Sequence, residues 1–491
     1  MSRPRLVLPA LLLVALSAPP AQAAVPLPRS DSFYTYSGST PLAKVPAGTV
    51  LKTRAVTLAA DVNPTPLPAT QLLYRTVDEL GHPTVTVTTV IMPPGSTVAP
   101  KIIAYLSFYD ALSDKCDPSY TLRGGDPGAP NMQLTDAEQA FVQAYAATGN
   151  VITVPDFEGP GLHWTAGHEA GWSTLDAVRA TESYLKAART TMVGLSGYSG
   201  GSIAADWAAE LAPSYAPELN IVGVAAGGVP VHFAHNLVYI SGSPSWSGIM
   251  PAVFYALAHS YHLDLDTYLS DYGKALVNKD KSGCIGDVSG THPGLTYQQL
   301  LKPQYRDILA QPAFARIINR LIMGSTPGHP KGPMLIAVGN NGSSIGDDVM
   351  ITADDEALAH EYCSQGVKVR FESYPRLAHT QAGAAFEPNA VEFLVERFAG
   401  APFVDNCSSV GAGASLAPLR IRSAAAGGSS NGTGSTTGTR AGSGGALAAT
   451  GGGPLLPLTA LLLLCSAVVL TRRLGQASAP TSFVRLRTKS L

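Results

Sequence analysis

The sequence predicts an α/β protein built on a largely parallel sheet and interrupted by a helical insertion. Three observations predict it. Short apolar runs recur at 101–106, 151–154, 191–195, 221–225, 334–338 and 367–371, each too short for a helix and continuous enough for a strand buried on both faces. Helical patterns separate several of them, at 173–188, 202–212, 353–365 and 389–398, and strands alternating with helices give a parallel sheet. Between about 230 and 325 that rhythm breaks into apolar helical segments such as 252–262 and 305–323, with no core strand.

In chain order, the first element is a secretory signal: Arg3 and Arg5, an apolar run over 6–16, and Ala21-Gln22-Ala23 as a small-residue cleavage site. The mature chain is expected to begin near Ala24, and the run is short for a bilayer span. Export implies an oxidising compartment. Four of the five cysteines (Cys116, Cys284, Cys363 and Cys407) lie in the globular part and suit two disulfides, with three possible pairings. After a mixed pattern over 32–53, residues 72–77 and 84–92 flank a turn at 78–83 and read as a β-hairpin that starts the sheet. The insertion fits either a lid over an apolar binding site or further helical packing.

Beyond 420 the composition turns to Ser, Gly, Thr and Ala through Gly453, a spacer that cannot bury enough apolar surface to fold. It leads to Leu447-Ala448-Ala449-Thr450-Gly451, an apolar segment over 454–471, Arg472-Arg473 and a tail to 491. This order resembles the cell-wall sorting signal of Gram-positive bacteria, which implies a sortase as partner; a plain membrane anchor is the other reading. Arginines after the apolar run would stay cytoplasmic. The expected organisation is therefore a signal over 1–23, a catalytic domain over 24–420, a linker over 421–453 and a C-terminal anchor.

Lysine plus arginine number 33 against 35 aspartate plus glutamate, so no basic stripe of the kind nucleic acid requires is present. The 45% hydrophobic content suffices for one large core. His232-x-x-His235 and His259-x-x-His262 lack the glutamate and third ligand of a zinc hydrolase, and no Gly-Lys-Ser/Thr phosphate loop occurs. No metal and no cofactor are expected.

The pattern Gly-x-Ser-x-Gly occurs three times, at 197–201, 342–346 and 428–432, so the bare pattern decides little. A nucleophile elbow needs an apolar strand before it and a helix directly after it. Ser199 has both. Ser430 lies in the spacer, and Ser344 lies in a loop that no helix follows. A serine hydroxyl needs a histidine base, and the histidine needs a carboxylate to hold its tautomer. The run 334–338 is followed by Asp347 and Asp348, either of which can supply the acid, and the run 367–371 by a loop carrying His379, the expected base. Gly200, next after the nucleophile, supplies one oxyanion N–H by geometry.

These segments, with Tyr109-Asp110, Cys116-Asp117-Pro118-Ser119-Tyr120 and Pro155-Asp156-Phe157-Glu158-Gly159-Pro160, resemble the secretory lipases related to the fungal lipase A type, which has bacterial members. The resemblance covers about 32–407. It implies an α/β-hydrolase fold with an inserted helical cap, and triacylglycerols or other fatty-acyl esters as substrates. It also implies Asp347 as the residue that opens an Asp-x-Ile-Val-Pro-type motif, here without its proline, and Asp110 as the second oxyanion residue. The implied disulfides are Cys116 with Cys284 and Cys363 with Cys407. The triad alone would equally serve a peptidase, thioesterase or acyltransferase, and a silent, wall-displayed binding module would keep the same fold.

Overall fold

The computed structural model describes residues 25–421 except 61–62, 94–100, 127–129 and 343–344. The signal sequence, the spacer, the sorting-type pentapeptide with its apolar run, Cys465 and Ser344 lie outside the described residues. Among the described residues, no helix is long and apolar enough to cross a membrane.

Nine strands make one sheet: β1 (Val50–Ala60), β2 (Asn63–Val77), β3 (Pro83–Ile91), β4 (Ile102–Leu106), β5 (Val151–Pro155), β6 (Met192–Tyr198), β7 (Asn220–Gly227), β8 (Met334–Gly339) and β9 (Val369–Tyr374). Their order is β1-β2-β3-β5-β4-β6-β7-β8-β9. The pairs from β1 through β3 to β5 are antiparallel, and those from β5 through β4 to β9 are parallel. All six anticipated core strands are therefore present, as is the hairpin, formed by β2 and β3. β1 was not anticipated. It pairs with β2 alone, and Lys52, Arg54 and Thr57 interrupt the apolar run that marks the central strands.

The helices are α1 (Pro118–Thr121), α2 (Pro130–Ala146), α3 (Gly167–Leu185), α4 (Gly200–Tyr215), α5 (Phe233–Ile240), α6 (Met250–Ser260), α7 (Asp271–Asp280), α8 (Ile285–Val288), α9 (Tyr297–Leu300), α10 (Pro312–Arg320), α11 (Thr352–Ser364) and α12 (His379–Phe398). Side chains of α3, α4 and α11, such as Val178, Ala205 and Tyr362, pack with Leu195 and Val224 on one face of the sheet. Those of α2 and α12, such as Tyr145, Phe386 and Phe393, pack with Tyr105 and Leu335 on the other. The segment from β7 to β8 holds α5 to α10 and no strand, with its own core around Met250, Phe254, Leu300 and Phe314.

The helix expected over 173–188 begins six residues earlier, at Gly167, and two further departures from the sequence expectation lie at proline. The segment 305–323 is not one helix: Gln311 is extended at φ −74°, ψ 125°, as the residue before a proline tends to be, and Pro312 opens α10. Conversely, α12 starts at His379 and runs through Pro388 rather than beginning after it. The hydrogen bond Pro388 cannot donate, a loss of about 3 kcal/mol with its ring clash, is offset by burial of Phe386, Phe393 and Leu394.

Both disulfides pair as the resemblance implied, Cys116–Cys284 and Cys363–Cys407. The first joins the loop after β4 to the helical insertion, and the Ala111–Cys284 bridge runs beside it.

Candidate active site

β6 ends at Tyr198 and α4 begins at Gly200, so Ser199 alone makes the turn, at φ 53°, ψ −120°. Such a conformation is strained for a non-glycine residue and persists only where its surroundings enforce it. Here they do. The Ser199 N–H donates to the Gly227 carbonyl at 2.8 Å, and the Ser202 N–H donates back to the Ser199 carbonyl at 2.9 Å. Gly197 and Gly201 let the two arms of the turn approach: a Cβ on Gly197 would collide with the Gly201 carbonyl, and one on Gly201 with the Leu106 carbonyl.

His379 reaches the turn from the first residue of α12, at the end of the loop after β9, and its Nε2 lies 2.8 Å from Ser199 Oγ. Its Nδ1 lies 2.8 Å from Asp347 Oδ2, while Asp347 Oδ1 accepts the N–H groups of Val349 at 3.1 Å and Met350 at 2.7 Å. The Tyr198 hydroxyl donates to the His379 carbonyl at 2.6 Å, and Trp246 from the insertion meets the imidazole edge to face. Asp348, by contrast, accepts the Asn341 side-chain amide at 2.8 Å and makes no contact with His379 among the described hydrogen bonds. Of the adjacent pair, Asp347 is the one brought to the histidine.

Gly200, as the first residue of α4, has an N–H that a helix leaves without an intrahelical acceptor. Against it lies Asp110, whose carboxyl would be struck by any Cβ on Gly200. Asp110 is buried, not a solvated loop carboxylate, and its Oδ1 has no hydrogen-bond partner among the described residues. Burial pushes this carboxyl up to about 8, against a hydrogen bond from Trp164 that favours ionisation, with the Glu138 carboxyl adding to the rise. The loop carrying Asp110 is fastened from beneath by the Pro155–Pro160 segment: Glu158 accepts the Ala111 N–H at 2.9 Å, Tyr109 Oη accepts the Glu158 N–H at 2.7 Å, and Asp156 accepts the Ser119 N–H at 2.8 Å.

Ser199, His379, Asp110 and Gly200 open on one cavity of about 300 Å³. From the insertion, Phe233, Leu237, Met250, Val253, Phe254 and Leu257 line it with apolar surface. Of the histidine pairs, His232 stacks on His235, which contacts Asp354 at 3.0 Å, and His259 contacts the Gly161 carbonyl at 3.0 Å.

A family model described as "Secretory lipase" matches residues 129–406. The chain belongs to the secretory lipase family. Membership makes it a carboxylic ester hydrolase of the lipase type. Among relatives of this secretory lipase, a "probable inactive lipase" of Mycobacterium tuberculosis is 33% identical over 394 residues, covering 77% of this chain and 84% of the relative. A "secreted triacylglycerol lipase" of Malassezia globosa is 32% identical over 384 residues, covering 73% and 77%. The crystal structure of Candida antarctica lipase A superposes with a TM-score of 0.70 at 28% identity, covering 79% of this chain and 90% of that one, which makes the fold an α/β-hydrolase fold.

Sequence reasoning placed Ser199, His379, Asp347, Gly200 and Asp110, and all five meet at the cavity or stand one hydrogen bond behind it. It missed Tyr198, Trp164 and Trp246 as neighbours of those groups. Tyr198 lay inside the quoted pentapeptide, but nothing in the pattern announces that its hydroxyl turns back to fasten the histidine backbone.

Proposed function

We propose that this secretory lipase is an active serine hydrolase, with Ser199 as nucleophile, His379 as proton shuttle and Asp347 as the residue that orients His379. The observation that carries the reading is the unbroken relay from Asp347 Oδ2 through His379 to Ser199 Oγ, with both links at 2.8 Å. Ser199 Oγ attacks the ester carbonyl while His379 Nε2 takes its proton; Asp347 stays ionised and stabilises the imidazolium. The N–H groups of Gly200 and Asp110 receive the oxyanion, each such donor contributing about 3 kcal/mol. His379 then protonates the departing alcohol, and water, deprotonated by the same nitrogen, releases the acid.

The substrate class proposed is fatty-acyl esters, triacylglycerols included, with the acyl chain in the insertion-lined part of the cavity. The apolar lining from Phe233 to Leu257 and the Malassezia relative's name support it. The secreted relative and the signal-like N-terminus likewise support export; attachment through the sorting-type C-terminus, by sortase or as a membrane anchor, is part of the same proposal. The Mycobacterium relative's name raises the second reading, a fold retained without turnover. Labelling with p-nitrophenyl alkylphosphonates of short and long alkyl chain separates the two. Ser199 is expected to take the adduct, and the decyl reagent to react at least about tenfold faster than the ethyl one. Absence of an adduct overturns the enzyme reading, and equal rates overturn the acyl assignment alone.

The buried carboxyl of Asp110 adds a pH dependence. Its raised pKa, about 8, keeps it neutral at pH 7; above pH 8 it acquires a charge beside the Gly200 N–H, where the negative oxyanion would form. kcat/KM is therefore expected to fall on the alkaline side, approaching tenfold per pH unit. Asp110→Asn should remove that limb. An unchanged alkaline limb in the variant would assign it to another group.

A further inference from the structure

The cavity has a second stretch of wall, from outside the insertion, that the acyl assignment leaves unused. It is formed by Leu134, Ala137 and Phe141 of α2 and by Thr380, Gly383, Ala384 and Glu387 of α12, the helix that opens at His379. This wall is apolar except for the Thr380 hydroxyl and one carboxyl. Glu387 lies on the same side of α12 as His379, about two turns further along, which is roughly 12 Å of helix axis.

Glu387 is 2% exposed and only half satisfied: its Oε2 accepts the Tyr145 hydroxyl at 3.1 Å, whereas Oε1 is buried without a hydrogen-bond partner among the described residues. Its neighbour Glu138, which is not part of the lining, is fully engaged, accepting the Ser107 hydroxyl at 2.9 Å and the Phe108 N–H at 3.0 Å. The two carboxyls thus differ in purpose. Glu138 holds the loop after β4, where Asp110 lies. Glu387 fastens nothing with Oε1, although an unmet polar atom in so buried a place is unfavourable.

We propose that the α2–α12 wall is the subsite for the alcohol portion of the ester, and that Glu387 selects alcohols carrying a further oxygen several carbons beyond the ester oxygen, as esters of longer polyols do, over plain alkyl alcohols. This rests on the serine-hydrolase reading above. Burial pushes the Glu387 carboxyl up to about 8, and the Tyr145 hydroxyl bond opposes the rise while nearby Glu138 adds to it. At neutral pH the group is therefore a carboxylic acid, with one oxygen receiving Tyr145 and the other free to donate its proton to a hydroxyl, ether or ester oxygen. The span from His379 sets where that oxygen must be, about 10 Å from the scissile carbonyl. A plain alkyl alcohol of equal length would leave the acid unpaired, which is the arrangement by which a buried polar group discriminates against an isostere that lacks its partner.

The test compares ω-hydroxyhexyl and hexyl esters of the same fatty acid in wild type, Glu387→Gln and Glu387→Leu, reading the ratio of kcat/KM. Wild type is expected to favour the hydroxylated ester about tenfold. Glu387→Leu should bring the ratio to about one, and Glu387→Gln should keep most of it, because an amide also donates. A purely structural role would slow both esters together and leave the ratio where it was; that result overturns the inference, as does a wild-type ratio near one. Should the leucine variant fail to fold, Ala384→Phe narrows the same wall: it should slow hexyl esters relative to methyl esters of the same acid, and equal slowing places the alcohol elsewhere. If wild type hydrolyses no ester, the serine-hydrolase reading falls and this one with it.

Discussion

Asp347→Asn is expected to lower kcat by about 10⁴-fold, whereas Asp348→Asn changes it by no more than about threefold. The two residues are adjacent and chemically identical, so the contrast isolates geometry. Asp347 is fully buried, with Oδ2 on His379 Nδ1 and Oδ1 saturated by the Val349 and Met350 N–H groups. Those two backbone donors fix the carboxylate. An asparagine here must aim either its NH₂ or its carbonyl at the imidazole: the first forces the wrong tautomer, and the second cannot match the charge that stabilises the imidazolium. Asp348 accepts only the amide of exposed Asn341 and sits at φ 87°, a conformation asparagine tolerates as well as aspartate. The measurement is kcat on a soluble ester with thermal melts of both variants alongside. Similar losses in the two would refute the assignment.

Gly197→Ala is expected to cost at least about 10²-fold in kcat and roughly 3 kcal/mol in stability. The added methyl would overlap the Gly201 carbonyl and come within 3.0 Å of the Ser202 nitrogen, all backbone atoms that cannot rotate aside. Relief would require Gly201 to shift, yet Gly201 is itself pressed against the Leu106 carbonyl of β4. The turn can open only by displacing Ser199 from His379. Gly149→Ala is the control: it has φ 83° but nothing within 4 Å of the new Cβ, so it carries backbone strain of about 1 kcal/mol and no loss of activity. A fully active, fully stable Gly197→Ala protein is incompatible with the turn described.

The parts of this molecule that were legible from its sequence are those where a single local rule dominates. Parallel strands buried on both faces must be continuously apolar, and β4 to β8 announce themselves that way, whereas β9, at the sheet edge, is only half-buried and carries Arg370 and Glu372. The elbow at Ser199 was legible for a different reason, since only one of the three pentapeptides stands between a strand and a helix. β1 stayed hidden because an edge strand needs no such run: Thr53, Ala55 and Thr57 are exposed, and Arg54 on the other face is paired with Asp31 and Gln71. The start of α12 stayed hidden because Pro388 is a boundary by local rules, and only tertiary burial of Phe386 on the sheet carries the helix through it. At the site, the choice between Asp347 and Asp348 turns on which carboxylate the β8 loop folds inward, a fact about backbone direction that residue types do not encode. Glu387 is the clearest case of the illegible. A glutamate in a helix reads as solvated surface, and only the fold puts it in the wall of a cavity.

The Cys116–Cys284 bond spans 168 residues and sets a condition on how the protein can be made. It connects the chain segment that follows Asp110 to the insertion, and without it that junction keeps the main-chain hydrogen bonds Leu112 to Gly283 and Ile285 to Asp110, each at 3.0 Å, the Lys115–Asp287 ion pair at 3.0 Å and the packing of Leu112. A chain synthesised in a reducing cytosol would therefore reach the right topology with Ser199, His379 and Asp347 in place, yet join the insertion less firmly to the loop that carries Asp110. Recombinant material of that kind would still react with a small phosphonate while turning over esters poorly, so batches would agree in active-site titre and disagree in specific activity according to the oxidation state of one bond.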